Sequence, residues 1–156
     1  EEMVQYYEDI INRYPVYSIE DGLGSEDTKG WELLTYRLGK RVLLIGDQLF
    51  ATNVKRLRDG VENEIANGIL INYNRCGTVT EMLETIEAAK DSGYKYIVGG
   101  SLGETEDGFI SDLAVASSGE LVKLGAPCRS DRTCKYNRLL QIEYELGKNV
   151  QPGFLK

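Results

Sequence analysis

Histidine is absent from all 156 residues. Imidazole general base catalysis and imidazole ligation of a metal are therefore closed to this chain, and any catalysis must rest on lysine, aspartate, glutamate, tyrosine or cysteine. Cysteine is scarce. Cys76, Cys128 and Cys134 are odd in number and show neither CxxC nor zinc-type spacing, so reduced thiols in a cytoplasmic protein are expected. No apolar run approaches the ~18 residues of a membrane-spanning helix, and no signal-peptide pattern is present. Positive charge is in the minority as well: 18 Lys and Arg stand against 25 Asp and Glu, a net charge of −7. That balance argues against nucleic acid or an anionic membrane surface as partner.

What is present is a repeated unit. Val42-Leu43-Leu44-Ile45 reads as a strand buried on both faces, the pattern of a parallel sheet. It ends at Gly46-Asp47, and Thr52 or Asn53 offers a side-chain oxygen to cap the helix that follows. The same pattern recurs at Val16–Ile19, Ile69–Ile71, Tyr96–Val98 and Leu121-Val122. Helices are expected over 2–13, 27–37, 53–65, 106–117 and 130–146. Another opens at Thr78-Val79-Thr80-Glu81, which has capping-box spacing, and ends near Gly93.

The strand exits fall at 20, 47, 72, 100 and 123, in steps of 27, 25, 28 and 23 residues. A (β/α) barrel uses units of about 25–35 residues. Five strands leave such a barrel partial, with two free edges and an open apolar interior. The alternatives are a partial (βα)5 barrel or a flattened, doubly wound parallel sheet. Residues 1–147 form the domain and 148–156 a loose polar tail. Because Leu43, Ile45, Leu70 and Ile97 cannot all lie under the helices, a homo-oligomer covering the open barrel face is expected.

Several segments resemble one family. Ser18-Ile19-Glu20-Asp21-Gly22, Gly46-Asp47-Gln48-Leu49-Phe50-Ala51-Thr52-Asn53, Gly103-Glu104-Thr105-Glu106-Asp107, Gly125-Ala126-Pro127-Cys128-Arg129-Ser130 and Lys135-Tyr136-Asn137-Arg138-Leu139-Leu140 are similar to the C-terminal barrel of enolase, in order, from about residue 14 to 147. The resemblance implies a TIM-barrel segment and a glycolytic lyase chemistry. In that chemistry a lysine removes the C2 proton of 2-phosphoglycerate, and two Mg²⁺ ions stabilise the enediolate before water leaves to give phosphoenolpyruvate.

Position by position, the resemblance matches Glu20 and Asp47 to Mg²⁺ ligands and Lys123 to a substrate-contacting lysine. The same lysine could instead pair with Glu20 or Asp47 across the strand ends. Asn72 stands where the family carries its base lysine: a stretch that usually reads Ile-Lys-Val-Asn-Gln reads Ile-Asn-Tyr-Asn-Arg here. An amide accepts no proton at neutral pH. Gly99-Gly100-Ser101-Leu102 replaces the family's Ser-His-Arg-Ser, which holds the phosphate. Gln48 replaces an aspartate, and Gln141 an arginine of the usual dimer contact. The family's first barrel strands, with the third metal carboxylate, have no counterpart in this sequence. The expectation is an enolase-like half-barrel without 2-phosphoglycerate dehydration, with Mg²⁺ weak or lost, kept as a binding or assembly module. The alternatives are an enolase fragment completed by a partner chain, or an enzyme repurposed for another phosphorylated or carboxylated ligand.

Overall fold

The computed structural model describes residues 1–150. The apolar runs form five parallel strands, β1 (Ser18–Glu20), β2 (Leu43–Gly46), β3 (Gly68–Asn72), β4 (Lys95–Gly99) and β5 (Leu121–Lys123). They lie side by side in chain order. Between and around them run α1 (Glu2–Arg13), α2 (Thr28–Leu38), α3 (Val54–Glu62), α4 (Val79–Asp91), α5 (Phe109–Ser117) and α6 (Ser130–Leu146). None of these helices is long and apolar enough to cross a membrane. The tail expected at 148–156 begins with a 3-10 turn over Gly147–Asn149, and residues 151–156 lie outside the described residues.

Side-chain alternation decides between the two sheet architectures. Successive strand residues point to opposite faces. Leu44, Ile69, Ile71, Tyr96 and Val98 join one large core with Trp31 and Leu34 of α2, Leu57 of α3, Met82 and Ile86 of α4 and Ile110 of α5. Ile45, Leu70 and Ile97 form a separate cluster, with Leu43 and Leu121 packed against it. The helices thus supply one face only, and the flattened doubly wound alternative is set aside. The sheet is a curled half-barrel.

The curl also narrows the barrel interior. Ile45, Leu70 and Ile97 point into the barrel interior, yet a single chain buries them. Two inward positions are glycine: a Cβ on Gly68 would stand 3.1 Å from Leu43 Cδ1, and one on Gly99 would stand 3.0 Å from Leu70 Cδ1. Leucine side chains fold into the space those positions leave open. The strands can then close tightly enough for Lys123 of β5 to reach Glu20 of β1 at 2.6 Å.

Local signals set the element ends. Asn53 caps α3 by accepting from the N–H groups of Lys55 and Arg56, and Thr78 and Glu81 form the expected capping box on α4. Helix α3 stops at Glu62 rather than continuing to 65, because Glu64 and Ala66 turn to positive φ. Helix α5 starts at Phe109 rather than 106, because the Asp107 carboxylate accepts from the Phe109 N–H and terminates the preceding loop.

Candidate functional site

The C-terminal ends of parallel barrel strands form the mouth where barrel enzymes place their chemistry. Here that mouth holds a 630 Å³ cavity lined by Asp47, Asn72, Arg75, the Gly100–Gly103 loop, Lys123, Gly125 and Arg132. Three of the four residues singled out from the sequence, Asp47, Asn72 and Lys123, line it. Glu20 adjoins it through its contact with Lys123.

Each of these groups is already engaged. Lys123 Nζ donates to Glu20 Oε1 at 2.6 Å. Asp47 stands beside Arg75, whose Nε lies 3.4 Å from Asp47 Oδ1, an oxygen that is buried and accepts no hydrogen bond from the described residues. Burial raises the Asp47 carboxyl above its usual range. Arg75 and Lys123 oppose that shift, and Asp21 and Glu20 add to it. The Asp21 carboxylate accepts from the backbone N–H groups of Asp47 and Gln48, clamping the exit of β2 against that of β1.

Asn72 is 3 % exposed, and its amide is spent on structure. Oδ1 caps the 3-10 turn Tyr73–Arg75 by accepting from the Asn74 N–H, and Nδ2 donates to Ser101 Oγ at 3.3 Å. Its own N–H donates to the Thr52 hydroxyl, which in turn donates to Leu70 O. Gln141 stands on the exposed side of α6, away from the mouth.

Sequence reasoning assigned no role to a second cluster behind the Gly100–Gly103 loop. Lys135 Nζ and Glu104 Oε2 meet at 3.1 Å, with both side chains 1 % exposed. The ammonium also donates to the carbonyls of Thr105, Asp107 and Asp131, and Tyr73 donates its phenol proton to Glu104 Oε2. Burial and that bond to Glu104 push the Tyr73 phenol up to about 12. A Cβ on Gly100 would overlap Glu104 Oε1, so glycine there lets the loop lie directly on the carboxylate. The signal was available: Lys135 falls at helical spacing with Leu139, Ile142 and Leu146, a charge on an apolar stripe.

The family model for the enolase C-terminal TIM barrel domain matches residues 1–153. The chain belongs to the enolase family. Enolases are generally Mg²⁺-dependent, and the donor set can be tested against that ion. Mg²⁺ demands near-octahedral oxygen ligation. Glu20 and Asp47 each already face a cation, and no cluster of three or more Asp, Glu, Cys or His side chains among the described residues is placed to hold a metal. The described residues bring Glu20 and Asp47 to the mouth as oxygen donors, each paired with a cation.

Proposed function

We propose that this enolase-family half-barrel does not dehydrate 2-phosphoglycerate and serves as a binding or assembly module. The observation that carries this reading is Asn72: the position matching the family's base holds a buried amide with both ends committed to neighbouring groups. A general base alone contributes about 10²–10⁴ in rate. The phosphate-holding arginine is missing from the 99–102 loop as well. Activity should therefore be absent, and a coupled assay that detects phosphoenolpyruvate above the no-protein rate would overturn the proposal. Asn72→Lys alone should restore nothing, since the loop still lacks its arginine. Mg²⁺ affinity should be millimolar or weaker by calorimetry, on the order of the loosest hard-cation sites.

A second reading is an enolase barrel segment completed by another chain, and one observation favours it: β1 and β5 each pair on one side only among the described residues. Self-association belongs to the same proposal. Its support is these unpaired edges rather than the interior, which the chain covers itself. Light scattering at micromolar concentration checks it: a mass near 17.5 kDa would exclude the oligomer.

A further inference from the structure

Gly68 opens β3 without a side chain because there is little room for one: a Cβ there would stand 3.1 Å from Leu43 Cδ1 and 3.3 Å from the Lys95 carbonyl oxygen. The residue before it is Asn67, and no other asparagine of the sequence is followed by glycine. An Asn-Gly pair carries its own chemistry. Glycine leaves its backbone nitrogen unshielded, within reach of the preceding side-chain amide through a five-membered ring. The packing that demands glycine at 68 thus places a thermolabile dipeptide at the junction of β2 and β3. Asn67 is held there by backbone and side chain alike. Its N–H donates to Leu44 O at 3.1 Å, and its carbonyl accepts from the Lys95 N–H at 3.0 Å. Oδ1 accepts from the Leu44 N–H at 2.7 Å, and Nδ2 donates to the carbonyls of Gly39 and Val42 at 2.8 and 3.1 Å. Water has a path to it: Asn67 lines a 930 Å³ polar cavity with Thr35, Lys40, Asn63 and Glu64.

We propose that Asn67-Gly68 is a spontaneous deamidation site kept latent by these bonds, and that its conversion is a one-way change that loosens β2 from β3. The Gly68 nitrogen, deprotonated by a solvent base, bonds to Asn67 Cγ. The Cγ–Nδ2 bond breaks, and ammonia leaves with a proton taken from water. A second water then opens the succinimide at either carbonyl, giving aspartate or isoaspartate. In sum, one amide and one water become one carboxylate and one ammonium, with no oxidant or reductant. Ring closure needs Asn67 Cγ to swing onto the Gly68 nitrogen, which breaks the side-chain bonds to Leu44, Gly39 and Val42. After conversion the carboxylate has no proton to donate at neutral pH. The Gly39 and Val42 carbonyls then lose their donor and face an anion at hydrogen-bond distance. Isoaspartate also lengthens the backbone by a carbon and shifts β3 against both Leu44 and Lys95.

The test follows deamidation of the full chain by peptide mapping and mass at mildly alkaline pH, in buffer and in enough denaturant to unfold it. Unfolded, Asn67 should convert faster than any other asparagine. Folded, it should convert at least about tenfold more slowly, because the ring closes only in molecules whose side-chain bonds have opened. Asp-Gly pairs at Asp21, Asp59 and Asp107 form succinimides without a change in mass, so the mass gain isolates asparagine. Thr35→Val removes the hydroxyl that accepts from the neighbouring Ala66 N–H at 2.7 Å and leaves the dipeptide untouched. It should speed conversion in buffer about tenfold, the scale of an unsatisfied buried donor, and leave the unfolded rate unchanged. Denaturant below the unfolding transition gives a second readout on the unaltered chain, where the rate should rise with concentration. Asn67→Asp, made directly, reads the consequence: a lower Tm at neutral pH, with a deficit that shrinks as pH falls through the carboxylate range and the side chain regains a proton to donate. The inference is overturned if Asn67 converts as fast folded as unfolded, or if another asparagine leads in the unfolded chain. It is overturned equally if neither Thr35→Val nor mild denaturant changes the folded rate, or if Asn67→Asp melts with the unaltered chain at neutral pH.

Discussion

Lys123 and Glu20 meet at 2.6 Å with 46 % and 31 % of their side chains exposed, whereas Lys135 and Glu104 meet at 3.1 Å with 1 % of each exposed. The residue types are the same, and the shorter contact is the weaker one. Water screens the first pair and already solvates both partners, so exposed pairs contribute little. In the second, water is excluded and three backbone carbonyls share the ammonium. Removing one partner there leaves a buried charge without its counterion. The comparison separates two parts of one mouth. The β1–β5 closure is adjustable, and the loop between β4 and α5 is locked from behind.

The largest effect should therefore come from the buried pair. Lys135→Met or Glu104→Gln should each destabilise by about 3–5 kcal/mol in denaturant titration. A cost below about 1 kcal/mol would erase the distinction between the two pairs. Gly100→Ala comes next, at about 1–3 kcal/mol, because its Cβ would overlap the Glu104 carboxylate. In a Glu104→Ala background most of that cost should vanish, and a double-mutant cycle measures the coupling.

The Asp47 prediction concerns pH. Burial raises this carboxyl, so the folded chain keeps a proton that the unfolded chain has released. Stability then falls as pH rises through the interval just above the usual carboxylate range. Asp47→Asn should flatten that slope and raise Tm at neutral pH, a gain that disappears once pH falls below the usual carboxylate range and the unfolded chain is protonated too. The smallest effect belongs to Lys123→Met: less than about 1 kcal/mol, and less again in high salt. If it matched Lys135→Met, exposure would not be what separates the pairs.

Much of the scaffold was legible because β2, β3 and β4 carry apolar runs and α2, α3 and α4 carry side-chain N-caps. The ends of α3 and α5 were not. Positive φ at Glu64 and Ala66 has no residue signature of the kind glycine gives, and Asp107 served as a turn-former instead of a first-turn charge. The partial barrel's self-covered interior was missed because the absence of a side chain at Gly68 and Gly99 acts only in three dimensions. Of the mouth, Glu20, Asp47, Asn72 and Lys123 were placed by their positions at strand exits. The pairing of Lys123 with Glu20 was among the readings of that lysine although the two lie 103 residues apart, whereas the Arg75–Asp47 contact was not anticipated. The Glu104–Lys135 pair was hidden by the rule that charges belong outside, a rule a lysine on an apolar helical stripe visibly breaks.

The seam between β2 and β3 has a consequence for how the chain comes apart. β2 and β3 pair over only Ile45↔Gly68 and Gly46↔Ile69, against five aligned pairs between β3 and β4. Side chains complete the short ladder: Asn67 Oδ1 accepts from the Leu44 N–H, and Thr52 occupies the far end of β3. Sheet order equals chain order, so each strand finds its partner as soon as it is synthesised, and folding can proceed from one terminus without waiting for distant segments. The narrow seam divides the molecule into an early block ending near residue 66 and a later block beginning near 67. Native-state hydrogen exchange should resolve these as two cooperative units, with the amides of β3 and β4 the slowest to open.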